Sequence, residues 1–321
     1  MFIKYIYWEL SNYCNLQCRQ CFAGATRDIT TIINQEALYQ AIVKAKEFGP
    51  IAIRFGGGEP LLIPYLVDLI KHCTNHGIPV DITSNALLLN ESIIQKLSEA
   101  GLRELTVSID GLEETHDFFR GRGTFRRIEN NLLLFPNPLP FELSVGFTVT
   151  ARNYREIAVF VEHFHSIGIR KFYFFRYCGE KCRDMLQLNM EQLANASAII
   201  RNLSVLYPDA KFIRESLSFF MFPALYGHCS EGCNFLKGIL TVNYKGDVVV
   251  CAAIPKIIGN IYKEDSKYLK RRIEKEMLLI KQIPIECSNC KHQVVCHGGC
   301  KEYSYRSSGD YSRRDPLCPL A

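Results

Sequence analysis

The sequence predicts an α/β protein: a partial (β/α)6 barrel followed by a small cysteine-rich domain. Through roughly the first 180 residues, short β-rich runs alternate with longer helical patterns, as the crossover connections of parallel strands require. Further on, eight of the 14 cysteines fall between Cys229 and the end of the 321-residue chain, where long apolar runs are few. These two observations define the fold class.

Six strand patterns and five helical patterns make up the predicted barrel. Six units do not close an eight-stranded barrel, so we expect an open, TIM-like barrel with its active face at the carboxyl ends of the strands. Gly101 and Gly168 stand where helix C-caps belong. The strand patterns cover residues 3–10, 51–55, 79–83, 104–109, 143–149 and 171–176, and the helical patterns cover 35–48, 64–76, 91–100, 112–134 and 154–167.

Three regions follow along the chain. Residues 1–183 form the predicted barrel, 184–228 a helical connector and 229–321 the cysteine-rich domain. A region that buries little apolar surface usually needs metal or disulfides to fold. The last region is therefore predicted to fold around its cysteines.

The composition restricts location and partners. The net charge of +5 is mildly basic, and residues 263–281 mix both signs as a solvated helix face does. The amino-terminal residues form no signal peptide, and no apolar stretch reaches the ~18 residues of a membrane span. We therefore expect a cytoplasmic protein with no nucleic-acid or membrane partner. Its reduced thiols would bind metal instead of forming disulfides.

The first cysteine group lies directly after the first strand pattern. Cys14, Cys18 and Cys21 form C-x3-C-x2-C. Three thiolates on one tight loop hold three corners of a cubane iron–sulfur cluster and leave the fourth iron open to a chelating ligand. Structural zinc takes four protein ligands, so three close cysteines fit zinc poorly.

Around this loop the sequence resembles the radical S-adenosylmethionine superfamily. The matching residues run from Glu9 to Phe22, ELSNYCNLQCRQCF. The resemblance implies that S-adenosylmethionine chelates the open iron through its amino and carboxylate groups. Electron transfer from the cluster then releases a 5′-deoxyadenosyl radical. Phe22, beside the last cysteine, is expected to pack near the adenine.

Further motifs agree with the family in position and order. Glycines that follow the second strand pattern allow close approach to a ligand, and in the family this segment binds the methionine amino group, with the glutamate helping. Arg120 is expected to pair with the cofactor carboxylate, or to be an ordinary surface arginine. The cofactor-binding residues that the resemblance implies are Phe22, Gly56, Gly57, Gly58, Glu59, Ser84, Asn85, Ser108, Asp110 and Arg120.

The second cysteine group resembles the SPASM domain of enzymes that modify peptides. All seven positions of that pattern are present, and Cys229 is an eighth candidate. Eight thiolates suffice for two fully ligated four-iron clusters. By the family's interleaving, the inner cluster takes Cys229, Cys233, Cys251 and Cys300, and the outer cluster takes Cys287, Cys290, Cys296 and Cys318. Without Cys229, the inner cluster keeps an open iron. A pair of zinc sites is the alternative.

Three cysteines remain. Cys73 lies in a helical pattern and is expected in the core. Cys178 and Cys182 follow the sixth strand pattern, where one of them would donate hydrogen to a substrate radical in an epimerisation; the alternative is a pair of partly buried thiols. Sulfatase-oxidising members of the group carry an aspartate after the residue that matches Cys251. Ala252 stands here, which argues against that activity.

The resemblance predicts an oxidoreductase that modifies an unactivated carbon of a ribosomally made peptide, by oxidative crosslinking or epimerisation. Its cofactors would be S-adenosylmethionine and three [4Fe–4S] clusters, and its reducing partner flavodoxin or ferredoxin. Because the cluster motif starts at Cys14, we expect no leader-binding domain, so a peptide substrate would need a separate leader-peptide recognition protein or direct binding in the barrel. A dehydrogenase or epimerase of a sugar or aminocyclitol is one alternative. A zinc-binding interaction module is the other.

Overall fold

The chain folds around one sheet of ten strands. The computed structural model describes residues 3–28, 34–136, 138, 140–179, 182–213, 233–318 and 320. The strands are β1 (Tyr5–Glu9), β2 (Ala52–Gly56), β3 (Val80–Ser84), β4 (Leu102–Ser108), β5 (Glu142–Val149), β6 (Lys171–Arg176), β7 (Lys211–Ile213), β8 (Ile239–Val242), β9 (Asp247–Cys251) and β10 (Ile254–Asn260).

The strand order is β10-β9-β8-β1-β2-β3-β4-β5-β6-β7. Strands β1 to β7 pair in parallel with their neighbours, and β8 also runs parallel to β1. Strands β9 and β10 are antiparallel additions. The six predicted strands and the barrel are confirmed. The cysteine-rich region, predicted as a small domain after the barrel, adds three strands to the same sheet.

Helices connect the parallel strands and cover the outer face of the sheet. None of the helices among the described residues combines the length and the apolar content needed to cross a bilayer. Short 3-10 turns occupy Pro60–Leu62, Tyr154–Glu156 and Ile285–Cys287. The helices are α1 (Gln35–Lys46), α2 (Leu66–Asn75), α3 (Glu91–Glu99), α4 (Glu113–Arg120), α5 (Thr124–Leu132), α6 (Ile157–Ser166), α7 (Arg183–Leu186), α8 (Met190–Leu206), α9 (Ser266–Ile280), α10 (Gln293–Cys296) and α11 (Lys301–Ser308).

The helix predicted over 112–134 is two helices, α4 and α5. Gly121 and Gly123 adopt φ values of 116° and 80°, which end the first helix and begin the second. The Asp117 carboxylate then caps α5 by accepting a hydrogen bond of 2.9 Å from the Phe125 amide. Gly101 and Gly168 are confirmed as helix ends, with φ values of 83° and 100°.

Charged side chains fill the interior of the barrel. Arg54 on β2 donates through Nη2 to Asp81 on β3 at 3.3 Å, to Glu104 on β4 at 3.4 Å and to Tyr173 on β6 at 3.0 Å. Lys171 donates to the same Glu104 at 2.8 Å. Because these buried charges are paired, the network fixes the strands relative to one another.

The carboxyl end of β6 is tied to the last helix and the chain end. The Tyr303 hydroxyl donates to the Tyr177 carbonyl at 2.8 Å. Arg176 forms a buried ion pair with Asp315 at 3.4 Å, and its guanidinium lies 3.2 Å from the centre of the Tyr303 ring. These contacts hold the cysteine-rich region over the open face of the barrel.

Candidate active site

One cavity of about 320 Å³ opens at the carboxyl ends of the barrel strands. Cys14, Cys18 and Cys21 line it from the loop that follows β1. That loop is closed by main-chain bonds from Cys14 to the Thr26 carbonyl at 2.9 Å and from Thr26 to the Asn12 carbonyl at 2.8 Å. The three thiols are therefore presented by a fixed turn, as the sequence predicts.

The glycine run after β2 packs against this cysteine loop. The Gly58 amide donates to the Ser11 carbonyl at 2.7 Å, and the Glu59 amide donates to the Tyr13 carbonyl at 2.8 Å. A Cβ atom at Gly58 would lie 1.9 Å from the Tyr13 carbonyl oxygen, and one at Gly57 would lie 2.5 Å from that of Ser11. Glycine is required here because the cysteine loop comes so close.

Glu59 joins the ends of β2 and β3. Its side chain lines the cavity, and the residue is almost fully buried. One carboxylate oxygen accepts from the Ser84 hydroxyl at 2.7 Å, and the other accepts from the main-chain N–H of Asn85 at 2.7 Å. Burial raises the pKa of this carboxyl group, and these hydrogen bonds partly offset the effect. The three predicted residues thus meet in one hydrogen-bonded cluster.

Two polar side chains lie beside the first thiols. The side-chain nitrogen Nδ2 of Asn85 donates to the Asn15 side-chain oxygen at 2.7 Å and lies 3.8 Å from the Cys14 sulfur. Arg120 on α4 places Nη1 4.0 Å from the Cys18 sulfur. N–H groups at such distances stabilise a thiolate, which suits the donor set of a cluster.

Arg120 is buried, so the surface-arginine alternative is wrong. Its Nε donates to Asp110 at 2.6 Å. Asp110 also accepts from Gln20 of the cysteine loop at 2.5 Å and from the Thr148 amide at 2.8 Å. Asp110 does not line the cavity. It lies behind Arg120 and positions it, instead of facing the cofactor as the sequence analysis expected.

The remaining predicted cofactor contacts, Phe22 and Ser108, line the cavity. Phe22 is 43% exposed, which leaves its ring face open to a ligand. Packing of this ring on an adenine stays a prediction.

The C-terminal cysteines fall into two groups. Cys233, Cys251 and Cys300 line the same cavity as the first three cysteines. Cys287, Cys290, Cys296 and Cys318 line a second, smaller cavity of about 20 Å³. This grouping matches the predicted partition between an inner and an outer cluster, whose occupancy stays a prediction. Cys229 lies outside the described residues.

The donor set suits iron–sulfur clusters. Burial raises the pKa of Cys14 to about 11 and of Cys251 and Cys296 to about 12, so the free thiols are protonated at neutral pH. Loading iron must therefore release protons and becomes easier as the pH rises. In the described part of the chain, no three His, Cys, Asp or Glu side chains converge closely enough to hold a single metal ion. A cubane instead takes one thiolate per iron.

The three other cysteines differ in burial and in their position relative to the cavity. Cys73 is fully buried in α2, as predicted for a core residue. Cys178 lines the cavity, close enough to Cys251 for their charges to interact, and burial raises its pKa. Cys182 is exposed and is not part of the cavity wall. Of these three cysteines, only Cys178 therefore lines the cavity.

Sequence reasoning missed two charged residues in the cavity wall. Lys301 and Glu302 follow Cys300 directly and are 1% and 2% exposed. Glu302 pairs with Arg306 one helical turn on. Two adjacent charged residues directly after a predicted ligand cysteine were the available signal, although exposed charges at the start of a helix look the same in sequence.

Comparison with known proteins places these observations among relatives. Residues 8–161 match the family model described as "Radical SAM superfamily". The chain is 27% identical to the AdoMet-dependent heme synthase of Methanosarcina barkeri (strain Fusaro), over 98% of this chain and 96% of that protein. It is 21% identical to the PqqA peptide cyclase of Bradyrhizobium diazoefficiens, over 98% of this chain and 85% of that protein.

The fold also matches solved structures. Streptococcus suis SuiB bound to S-adenosylmethionine superimposes with a TM-score of 0.80 at 18% identity, covering 99% of this chain and 78% of SuiB. SuiB bound to its precursor peptide SuiA superimposes with a TM-score of 0.79, also at 18% identity, over 99% of this chain and 76% of SuiB. The shared fold therefore includes the cysteine-rich region as well as the barrel.

Proposed function

Because residues 8–161 match the model of the radical SAM superfamily, we propose that this chain is a radical SAM enzyme and oxidises a substrate bound between its first cysteine loop and its C-terminal cysteines. The observation that carries the proposal is that Cys14, Cys18 and Cys21 share one cavity with Cys233, Cys251 and Cys300. Cys14, Cys18 and Cys21 would hold an iron–sulfur cluster that, with S-adenosylmethionine bound, would supply the radical that attacks the substrate. The inner C-terminal cysteines would hold the cluster that accepts an electron from the substrate.

Different residues of the cavity would have different roles in this reaction. Cys14, Cys18 and Cys21 would hold the open cluster, while Asn85 and Arg120 place N–H groups beside two of their sulfurs. Glu59 and Ser84 shape the wall where the methionine portion would lie. The cysteine-rich region covers the open face, which keeps water from a reactive intermediate.

Two auxiliary clusters follow from the two cysteine groups. Cys233, Cys251 and Cys300 would hold the inner cluster, with Cys229 as its fourth ligand. Cys287, Cys290, Cys296 and Cys318 would hold the outer cluster. Such clusters require reduced thiols, which the cytosol maintains, and flavodoxin or ferredoxin would supply the first electron.

A peptide is the first candidate substrate. It is supported by the likeness to SuiB, solved with its precursor peptide, and by the similarity to PqqA peptide cyclase. A small molecule is the second candidate. The full-length similarity to a heme synthase favours a tetrapyrrole over the sugar or aminocyclitol that the sequence analysis considered. Deuterium at the reacting carbon of either candidate should appear in 5′-deoxyadenosine, because the radical abstracts that atom.

The proposed reaction predicts cofactor cleavage. Protein reconstituted under anaerobic conditions should contain roughly twelve iron atoms and equal sulfide. After reduction with dithionite it should convert S-adenosylmethionine into 5′-deoxyadenosine, measured by chromatography and mass spectrometry. Stoichiometric zinc without sulfide would instead support the zinc-binding module, which has no use for an open three-cysteine site.

The cavity thiols predict the reaction type. Because auxiliary ligands share the cavity, we expect an oxidised product that is lighter by about two hydrogens and carries no deuterium from deuterated water. Cys178→Ala should not change this labelling, and neither should Cys182→Ala, the exposed control. Solvent deuterium that disappears in Cys178→Ala alone would identify an epimerase that uses Cys178 as hydrogen donor.

A further inference from the structure

Lys301 is a buried cation beside the C-terminal cysteines. It is the first residue of α11 and is 1% exposed. Among the described residues its Nζ has no hydrogen-bond partner. The amine points toward the turn between Cys296 and Cys300, since a Cβ atom at Gly298 would lie 3.6 Å from Nζ. A buried ammonium without a partner is strongly unfavourable.

Lys301 directly follows Cys300 of the large cavity, and its Nζ lies beside Gly298, which lines the small cavity. Cys233 and Cys300 belong to the large cavity, whereas Cys287 and Cys296 belong to the small one. Burial lowers the pKa of the Lys301 ammonium, and negative charge on these four sulfurs opposes that effect. Lys301 itself lines the large cavity. It therefore lies at the boundary between the two cysteine groups, where negative charge on either group would act on its amine.

Negative charge at this boundary would come from the clusters. Four thiolates outweigh the positive charge of a cubane core, so a fully ligated cluster is an anion, and reduction adds further negative charge. A cation fixed nearby stabilises the reduced form more than the oxidised form and raises the reduction potential. Burial strengthens this effect because water does not screen it.

We propose that Lys301 is a positioning residue that compensates the charge of both auxiliary clusters and makes them easier to reduce. The inference rests on the proposed function, since it requires those clusters. It gives the unpartnered amine a partner, and it makes the inner cluster a better acceptor for the electron that a substrate radical gives up. Lys301 acts through the clusters and takes no part in bond breaking.

Potentiometric titration of the full chain, followed by electron paramagnetic resonance, tests this proposal. In Lys301→Met the ratio of reduced to oxidised auxiliary cluster at a fixed potential should fall about tenfold, a shift of about 59 mV for one electron. Lys301→Arg keeps the charge and should stay near wild type. Lys291→Met removes an exposed charge beside Cys290 and is the matched control. The Cys14→Ala/Cys18→Ala/Cys21→Ala variant identifies the auxiliary signals.

The outcomes separate the two proposals. Full iron content with an unchanged potential in Lys301→Met would overturn the role of Lys301 and leave the proposed function intact. Iron loss in Lys301→Met but not in Lys301→Arg would support charge compensation, whereas equal loss in both would indicate packing alone and overturn it. Wild-type protein that holds only about four iron atoms would refute the auxiliary clusters, and the Lys301 proposal with them.

Discussion

Replacing Cys14, Cys18 and Cys21 together by alanine should abolish 5′-deoxyadenosine formation and remove about a third of the iron. The three thiols are on one loop and line one cavity, so no other described cysteine group can replace them without moving the loop. Iron and sulfide analysis gives the first result, and chromatography of the reaction mixture gives the second. The auxiliary clusters should keep their absorption.

A reciprocal variant completes this test. Cys287→Ala/Cys290→Ala/Cys296→Ala should also lose about a third of the iron but keep cofactor cleavage, because these thiols line the separate small cavity. Cleavage that survives the first variant, or that depends equally on both, would contradict the assignment of the radical-generating cluster to the first loop.

Asp110→Ala is expected to destabilise the protein by about 3–5 kcal/mol, because it leaves the Arg120 guanidinium buried without its carboxylate. Asp110 is fully buried, and the Arg120 side chain is 12% exposed. The same substitution frees Gln20, so iron bound by the first loop should fall as well. Anaerobic urea unfolding followed by circular dichroism gives the free energy of unfolding.

Two further variants make the Asp110 test specific. Glu113, the first residue of α4, forms an ion pair with Arg126 of α5, and both side chains are exposed to solvent. Glu113→Ala should therefore have a much smaller effect on the free energy of unfolding. Asp110→Ala/Arg120→Met should recover part of the lost stability, because the unpaired charge is gone. Equal effects of Asp110→Ala and Glu113→Ala would show that the buried pair is unimportant.

The barrel could be predicted from sequence because its strands carry long buried runs separated by helical patterns. The break between α4 and α5 was missed because the apolar period continues across Gly121 and Gly123, and only their positive φ values separate the helices. Strand β7 lies within the predicted helical connector, and β8–β10 lie in the region predicted to fold around its cysteines, for which no strands were predicted. Short strands that pair with distant residues leave little local signal.

Those parts of the site that depend on residue spacing along the chain could be predicted from the sequence. The cysteine groups and the residues of the glycine run follow from their positions at strand ends. The roles of Asp110 and Lys301 depend on which atoms face one another: Asp110 accepts from Arg120, and Lys301 Nζ lies beside Gly298. Sequence spacing contains no information on such directions.

The pairing of β8 with β1 has a consequence for how the chain is made and folded. Tyr5 pairs with Ala52 on one side and with Ile239 on the other. The strand that leads into the first cysteine loop therefore keeps one edge unpaired until the ribosome has passed residue 242. An exposed edge invites pairing with other chains, and contacts between such distant residues form slowly. The cysteine loop is therefore synthesised well before β8, the strand that pairs with the second edge of β1.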